Sequence, residues 1–405
     1  MLLTTEKLYY QDPYMRTFSA QVKEKGTDKN GQEYVVLNRT AFYPGGGGQP
    51  NDIGEIASLP VHDVTEEEGK ILHYVAKSGW MEVGATVQGE IDWNRRFDHM
   101  QQHAGQHVLS AAFEEALGYR TVSFHLGREI CTIDLAVNEL SESDVSIAEE
   151  KANHVILQNL PIEAKWVSEE ELSVYPLRKP VTVSGNIRLV IIPEYDYNGC
   201  GGTHPTATGQ IMALKILGWE MQKGVVRVTF VCGKRVISQL HQKNAVIQRM
   251  TGLLNAPQES LADSVVRLQD LLKDQEKRME EMAGKLMEHE ADDVVKQARN
   301  RNGLLVIDRV YHHRPVSELQ KLAKLTASRL EGCLVIFVNG ADRKIQVVCA
   351  RGEGMDMHMG SFLKLLLPMI NGKGGGKEDF AQGGGEASMP AEEFLERILK
   401  LVNVS

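Results

Sequence analysis

Two pairs of metal-ligating residues, each pair spaced four apart, occur in separate stretches of the 405-residue chain. His103 and His107 lie in a predicted helix, where residues four apart point about 40° from each other and lie about 6 Å apart along the axis. Cys200 and His204 stand in a Gly-Cys-Gly-Gly-Thr-His run, and its glycines let the backbone turn so that both side chains can face one point. One thiolate and three imidazoles suit zinc. The sequence therefore predicts a zinc site built from both stretches.

The number of ligands leaves the purpose of this zinc open. Four protein ligands close a tetrahedron, as in structural zinc sites, whereas a hydrolytic site keeps a position for water or substrate. A fifth coordination position or a loosely held ligand would reconcile four ligands with catalysis. A zinc metalloprotease is excluded, because the helix reads His-Ala-Gly-Gln-His and lacks the glutamate of the His-Glu-x-x-His motif.

A second glycine cluster, Gly45–Gly48, follows Phe42-Tyr43-Pro44 and precedes Gln49. Its aromatic and proline flanks favour an ordered loop that permits close approach to the backbone. The loop lacks the Gly-Lys-Ser/Thr ending of a phosphate-binding P-loop. We therefore expect it to contribute to a binding site other than that of a nucleoside triphosphate.

The elements that position these residues predict an α+β protein of four parts. Residues 1–90 read as short β-branched strands separated by turn signals, which favours a small β-barrel. Residues 91–240 combine the histidine helix with strands, as an α+β zinc-binding domain. Residues 241–300 form a helical arm, and residues 301–405 alternate apolar strands and helices, as in an α/β domain.

The helical arm carries apolar residues in steps of three and four from Leu261 to Leu286. This pattern indicates a coiled coil or an antiparallel helical hairpin. A long surface helix packed on its own domain is the alternative. A break is expected near Asn255-Ala256-Pro257, because proline cannot continue a helix.

Composition restricts the class of protein. Hydrophobic residues make up 42% and charged residues 24% of the chain, which excludes wholesale disorder and collagen. The chain has no apolar run long enough for a membrane span, its start lacks the features of a secretory signal, and its five cysteines are too few for a disulfide framework. We expect a cytoplasmic protein. The net charge of −9 argues against a generally basic surface, although residues 301–405 carry a slight basic excess.

Four strings together resemble one family: Phe42-Tyr43-Pro44 with Gly45–Gly48 and Gln49, His103-Ala104-Gly105-Gln106-His107, Cys200-Gly201-Gly202-Thr203-His204, and the glycine-rich tail at 374–385. The chain resembles the long-form AlaX alanyl-tRNA editing proteins, which look like alanyl-tRNA synthetase without its aminoacylation domain. The resemblance implies hydrolysis of the ester that joins a wrong amino acid, serine or glycine, to tRNA(Ala). It also implies that His103, His107, Cys200 and His204 bind zinc.

The same resemblance implies roles for the outer parts of the chain. Residues 1–90 would be a synthetase-like β-barrel, and residues 301–405 a DHH-associated domain for tRNA binding and dimerisation. A homodimer through that domain or through the helical arm is expected. The basic residues expected to meet tRNA phosphates are Arg343, Lys344, Arg351, Lys373 and Lys377.

An aminoacyl ester is already activated, so the enzyme needs chiefly a positioned water and stabilisation of charge at the carbonyl. Zinc supplies either by lowering the pKa of water or by polarising the ester. The catalytic candidates expected to line the pocket are Thr40, Gln49, Ser123 and His125. Two alternatives stay open: a non-catalytic tRNA-binding protein with structural zinc, and a DHH-type phosphoesterase, for which Asp98-His99 is only a fragment of the signature.

Overall fold

The computed structural model describes residues 4–76, 81–181 and 185–402. The protein mixes α-helices with several β-sheets and contains one long helix, so the predicted mixture of helix and strand is confirmed. The chain divides into two compact units, Met1–Met250 and Thr251–Ser405. Among the described residues, no helix combines the length and the apolar character that a membrane crossing requires.

The first unit begins with a ring of strands. Its elements are β1 (Glu6–Lys7), α1 (Leu8–Gln11), β2 (Thr17–Thr27), β3 (Glu33–Leu37), β4 (Arg39–Thr40), β5 (Gly54–Ile56), β6 (Leu59–Glu67), β7 (Lys70–Val75) and β8 (Thr86–Ile91). Six strands pair in the order β2-β3-β7-β6-β5-β8, and β8 pairs back with β2. Alternate residues of β8 are buried, because successive side chains of a strand point to opposite faces. The ring thus encloses its own apolar core, which includes Phe42 and Val35.

The rest of the first unit builds two further sheets around a central helix. Its elements are α2 (Trp93–Leu117), β9 (Thr121–Leu126), β10 (Cys131–Leu135), α3 (Glu142–Leu157), β11 (Glu163–Val167), α4 (Glu169–Leu172), β12 (Ile187–Ile192), β13 (Asp196–Gly199), β14 (Leu214–Gln222), β15 (Val225–Cys232) and α5 (Lys234–Leu254). The sheets have the orders β14-β15-β10-β9 and β11-β12-β13.

Helix α2 starts and stops where its sequence predicts. The Asp92 side chain accepts a hydrogen bond from the backbone N–H of Arg95, and Gly118 ends the helix in the left-handed conformation, which glycine adopts without steric cost. Every residue from His99 to Phe113 is buried. The histidines of α2 therefore lie inside the protein. Helix α3 begins with a capping box, in which Ser141 and Asp144 each accept the other's backbone N–H.

The second unit contains a six-stranded sheet with helices on both faces. Its elements are α6 (Leu261–Val295), β16 (Arg299–Arg301), β17 (Leu304–His312), α7 (Val316–Ser328), β18 (Cys333–Ala341), β19 (Lys344–Arg351), α8 (Met359–Leu366), β20 (Lys373–Gly376), β21 (Phe380–Glu386) and α9 (Ala391–Val402). The strand order is β16-β17-β18-β19-β21-β20. One apolar cluster lies beneath α8 and α9 and another beneath α7 and the end of α6, so the predicted burial of both sheet faces is confirmed.

The break between helices α5 and α6 agrees with the sequence-based expectation, whereas the glycine-rich tail differs from it. Helices α5 and α6 are separated at Asn255–Pro257, as expected, and Asn255 has a left-handed φ of 47°. The glycine-rich tail, by contrast, forms the paired strands β20 and β21. Sequence reasoning did not find these strands, because glycine lacks the side chain that favours a pleated surface.

Candidate metal centre and active-site cavity

The structure brings together the four residues that the sequence predicts as metal ligands. One donor atom from each of His103, His107, Cys200 and His204 lies within 4.8 Å of the others. The Nε2 atoms of His103 and His204 lie 3.4 and 3.3 Å from Cys200 Sγ. Helix α2 supplies one pair, and the loop after β13 supplies the other.

Close packing of this loop against α2 explains the glycines around Cys200. A Cβ atom on Gly202 would overlap the His103 ring, so only glycine fits there. Arg188 of β12 fixes the loop from the other side. Its Nη1 donates hydrogen bonds of 2.9 and 2.8 Å to the carbonyl oxygens of Cys200 and Gly202, and its own carbonyl accepts the Cys200 N–H at 3.0 Å.

A hydrogen-bond network from the glycine-rich loop orients His103. Its Nδ1 lies 3.0 Å from Gln49 Oε1, and the same oxygen accepts the backbone N–H of Thr203 at 3.0 Å. Gln49 Nε2 donates to the Thr203 hydroxyl at 2.8 Å. Since Gln49 offers an acceptor to Nδ1–H, the Nε2 lone pair of His103 is directed to the cluster, as outer partners do for metal-bound imidazoles.

His107 is oriented by a carboxylate in the same way. Its Nδ1 lies 3.0 Å from Asp196 Oδ2, and Asp196 also accepts hydrogen bonds from Arg178 Nε at 2.7 Å and Asn198 Nδ2 at 2.6 Å. His107 Nε2 is buried and has no hydrogen-bond partner among the described residues. A buried nitrogen of this kind requires a partner, and a cation bound by the cluster would be one. The donor set and this orphaned nitrogen therefore fit a zinc ion.

The electrostatics of the cluster favour the ligating form of Cys200. Burial raises the pKa of this thiol, but His103 and His204 outweigh burial and hold the pKa well below its usual value. Burial lowers the pKa of His204 to about 3, which keeps its imidazole neutral. For His107, burial is the largest single influence and lowers the pKa, but the interactions with Asp196 and Cys200 together outweigh burial and raise the pKa to about 9. Metal binding at His107 must therefore release a proton.

A cavity of about 740 Å³ opens beside the cluster and contains His103, His107 and Cys200 in its lining. Gly47 and Gly48 contribute to the wall, as expected for a loop that permits close approach. The volume falls within the range of about 300–1,000 Å³ that is typical of small-molecule sites. Three of the four cluster residues thus face a space large enough for a small-molecule substrate.

The predicted catalytic candidates separate into two groups. Ser123 lines the cavity, with its hydroxyl 2.5 Å from Asp134 Oδ2, and Gln49 contacts His103. Thr40 does not line the cavity: it is buried, and its hydroxyl lies 2.8 Å from His73 Nε2. His125 is exposed on β9 and is not part of the lining either. Thr40 and His125 are thus placed away from the described cavity lining, because one turns into the strand ring and the other to solvent, and Gln49 reaches the cluster without lining the cavity; the catalytic roles of the four residues stay predictions.

The basic residues predicted to bind tRNA also differ among themselves. Arg343, Lys344, Lys373 and Lys377 are exposed. Arg351 is instead occupied by its own loop, with Nη1 2.5 Å from the Met355 carbonyl oxygen and Nη2 3.7 Å from Glu378. Its contacts hold the segment that leads to α8.

Sequence reasoning missed the residues that support the cluster, chiefly Asp196, Arg178 and Arg188. A signal was present for Asp196: it alternates with Asn198 along β13, so both side chains share one face of the strand that leads to Cys200. Arg178 and Arg188 carried no comparable signal, because their partners lie in other parts of the fold.

Comparisons with known proteins agree with this arrangement. Residues 2–95 match the class II (A) tRNA synthetases, residues 187–229 match the second additional domain of threonyl and alanyl tRNA synthetases, and residues 302–404 match the DHHA1 domain. The fold, the histidine–cysteine cluster and these matches define a protein of the class built from alanyl-tRNA synthetase-like modules that surround an editing-type domain.

Whole-chain relatives make the assignment specific. The chain is 31% identical to the alanyl-tRNA editing protein AlaX-L of Pyrococcus horikoshii over 408 residues, which cover 98% of both chains. The chain belongs to the AlaX-L family of alanyl-tRNA editing proteins, so the resemblance seen in the sequence is confirmed.

Longer relatives match as well. Alanine--tRNA ligases of Thermococcus kodakarensis and Archaeoglobus fulgidus are 30% and 32% identical over 98% of this chain. The chain spans only 44% of their length. The C-Ala domain structure from Aquifex aeolicus alanyl-tRNA synthetase shares 21% identity over 26% of this chain and 97% of its own, with a TM-score of 0.25, which is too low to establish a shared fold.

Proposed function

We propose that this protein is a trans-editing deacylase that removes serine, glycine or both from mischarged tRNA(Ala). The observation that carries the proposal is the cluster of His103, His107, Cys200 and His204, of which the first three lie in the wall of an open cavity. Water adds to the ester carbonyl carbon and the bond to the ribose oxygen breaks, which releases the amino acid and restores the free tRNA hydroxyl. Membership of the AlaX-L family supports this reaction.

Zinc is the cofactor that the donor set favours. Bound by the four ligands, it would supply positive charge that polarises the ester or lowers the pKa of water. The chain's own residues orient the reaction. Gln49 and Asp196 hold the His103 and His107 rings. The Ser123 hydroxyl donates a hydrogen bond to Asp134. Its oxygen lone pairs can therefore accept a hydrogen bond from the ammonium or hydroxyl group of the substrate.

The four predicted parts of the chain fit this function. We assign residues 1–90, which contain the strand ring, as the β-barrel domain, and residues 91–240 as the zinc-binding editing domain. Residues 241–300 form the helical arm. Residues 301–405 would bind tRNA and support a homodimer, with Arg343, Lys344, Lys373 and Lys377 as the phosphate contacts. A protein that acts on charged tRNA is expected in the cytoplasm.

A non-catalytic tRNA-binding protein with structural zinc is the second candidate, since four protein ligands can close a tetrahedron. The open cavity beside the ligands favours catalysis over this alternative. A DHH-type phosphoesterase finds less support. Among the residues that the structure describes, the cluster of His103, His107, Cys200 and His204 is the one group of three or more possible metal ligands. A two-metal centre needs additional ligands for its second ion.

Incubation of the purified protein with Ser-tRNA(Ala), Gly-tRNA(Ala) and Ala-tRNA(Ala) tests the proposal. We expect faster loss of serine or glycine than in buffer, with alanine retained. Discrimination between serine and alanine follows when the site hydrogen-bonds the serine hydroxyl, because its polar groups are left unpaired with alanine. Binding of all three tRNAs without any accelerated loss would contradict the deacylase and favour the non-catalytic protein.

A further inference from the structure

Part of the cavity lining lies outside the metal cluster, on β11, β12 and the segment before residue 182. Trp166, Arg178, Lys179 and Arg188 belong to this part. None of them is a metal ligand, and sequence reasoning singled out none of them. Their chemistry is aromatic and cationic, which is the combination that proteins use to hold a nucleotide.

Trp166 presents an open aromatic surface. It lies on β11, an edge strand of its sheet, and 52% of its surface is exposed. Tyr10 contacts it edge to face, with ring centroids 5.6 Å apart at 82°, and the Arg188 guanidinium lies 4.8 Å from the Tyr10 ring centroid. Because Arg188 also holds the Cys200 loop, the indole is fixed relative to the metal ligands.

Away from the Cys200 thiol of the metal cluster, the charged side chains of the cavity wall are all cationic. Arg178, Lys179 and Arg188 line the cavity, and no aspartate or glutamate is among its described lining residues, although the chain as a whole has a net charge of −9. Arg178 is anchored through Nε to Asp196; its side chain is only 9% exposed, and its Nη1 is buried without a hydrogen-bond partner among the described residues. Lys179 is half-buried, and burial together with the charge of Arg178 lowers its pKa. The wall therefore suits an anion.

The chemistry of the proposed substrate indicates which anion would bind at this wall. An amino acid in ester linkage has no carboxylate charge, so the nearest anion to the reacting carbonyl is the phosphate of the nucleotide that carries the ester. The base of that nucleotide must lie within one nucleotide's length of the metal cluster as well. Both groups have to fit into the same cavity.

We propose that this wall is a binding subsite for the 3′-terminal adenosine of the tRNA, whose base stacks on Trp166 while Lys179 and the Nη1 of Arg178 contact its phosphate. The inference rests on the proposed deacylase function and names the part of the substrate that the cavity holds beyond the amino acid. Stacking on an aromatic ring is tolerant of base identity, so the subsite supplies affinity and orientation rather than choice among tRNAs.

Kinetics of Trp166→Ala, Trp166→Phe and Lys179→Ala test the subsite, with Trp219→Ala as the matched control. Trp219 is also an exposed tryptophan, at 37%, but it lies on β14 and is not part of the cavity lining. For Ser-tRNA(Ala) deacylation we expect KM to rise about tenfold in Trp166→Ala, the size of one lost base–aromatic stack. Trp166→Phe keeps a ring and restores most of the affinity, and Trp219→Ala leaves KM unchanged.

Binding of 3′-deoxy-3′-(serylamino)adenosine 5′-monophosphate, a non-hydrolysable analogue, separates the subsite from the reaction. We expect Trp166→Ala and Lys179→Ala each to weaken binding about tenfold. Weaker binding in these variants supports the subsite even if the wild-type protein fails to deacylate, in which case the proposed function alone fails. A wild-type protein that deacylates Ser-tRNA(Ala), with KM and analogue binding unchanged in both variants, would overturn the subsite and leave the function standing.

Discussion

Gln49 illustrates how single residues outside the ligand set control the cluster. Its oxygen accepts hydrogen bonds from His103 and from the Thr203 backbone, and its nitrogen donates to the Thr203 hydroxyl. One side chain thus joins both ligand-bearing segments. The glycine-rich loop before Gln49 is explained in the same way, since it delivers this carboxamide to the buried cluster.

We predict that Gln49→Ala lowers zinc affinity by about 10–100-fold, which is the usual cost of removing an outer partner of a metal-bound histidine. Gln49→Glu retains an acceptor for His103 Nδ1 and is expected to lose less. Competition with a chromophoric chelator measures both, and Gln242→Ala on the exposed face of α5 is the control. Zinc binding in Gln49→Ala as tight as in the wild-type protein would show that Gln49 does not orient the ligand.

The ligands themselves could be predicted from the sequence, because helix geometry fixes the His103–His107 spacing and glycines mark the Cys200 loop. Their supporting residues could not. Asp196 contacts His107 across 89 positions of the chain, and such pairing depends on the tertiary fold. The same limit explains the misplacement of Thr40, whose strand turns it to His73.

At the scale of elements, a buried ion pair joins α2 to the segment that follows the glycine-rich loop. Arg96 and Asp52 form a salt bridge in which neither side chain is exposed. Arg96 also donates to the carbonyl oxygens of Pro13 and Ala41. The pair thereby fixes the loop that carries Gln49 against the helix that carries His103.

We predict that Arg96→Met lowers the free energy of unfolding of the first unit by about 3–5 kcal/mol, because it leaves the Asp52 carboxylate buried and unpaired. The double variant Arg96→Met/Asp52→Leu should recover part of this loss. Urea unfolding followed by fluorescence measures the effect. Lys151→Ala, which breaks an exposed pair with Glu115, should cost no more than about 1 kcal/mol. Equal unfolding midpoints for Arg96→Met and the wild-type protein would contradict this role.

Strand β20 forms one edge of the six-stranded sheet in the second unit. It presents Lys373, and Lys377 follows directly after it. We predict that Lys373→Ala and Lys377→Ala each weaken tRNA binding and reduce the slope of log affinity against log salt by about one. Lys29→Ala, in an exposed turn of the first unit, is the control. Filter binding over a salt series measures the slopes. Slopes identical to that of the wild-type protein would remove this strand from the tRNA surface.

At the scale of the whole molecule, helix α6 carries a row of apolar side chains that are exposed among the described residues of its own unit. Its exposed members continue the predicted heptad spacing: Val265, Leu268, Leu272, Met279, Met282 and Leu286. Isolated proteins rarely leave a continuous apolar stripe of this kind to water. A second copy of the chain would cover it as a coiled coil.

We predict a homodimer that Leu268→Glu/Leu272→Glu converts to a monomer, because both substitutions place charges in the apolar seam. Size-exclusion chromatography with light scattering measures the mass in solution. Lys273→Glu changes the charge of the same helix on a side chain that is 78% exposed, and it should remain dimeric. A wild-type protein with the mass of one chain would contradict the prediction.

The helical arm could be predicted from the sequence, because the apolar spacing changes to steps of three and four there. The apolar runs of β17, β18 and β19 likewise predict a sheet that is buried on both faces. Strands β20 and β21 could not be predicted from the sequence, because their glycines have no side chains to show an alternating pattern. The surface that Trp166 forms with its cationic neighbours could not be predicted either, because these residues come together only when β11 and β12 pair.

The most direct test of the account is a metal titration with Ser-tRNA(Ala) as the substrate. The protein is stripped of metal by a chelator, zinc is returned in steps, and the deacylation rate and bound zinc are measured on the same samples. We predict that activity falls on stripping and returns in proportion to zinc until about one ion per chain is bound, with no return in Cys200→Ala. Full deacylation by the stripped protein, or zinc binding at Cys200 and the histidines without any deacylation, would contradict it.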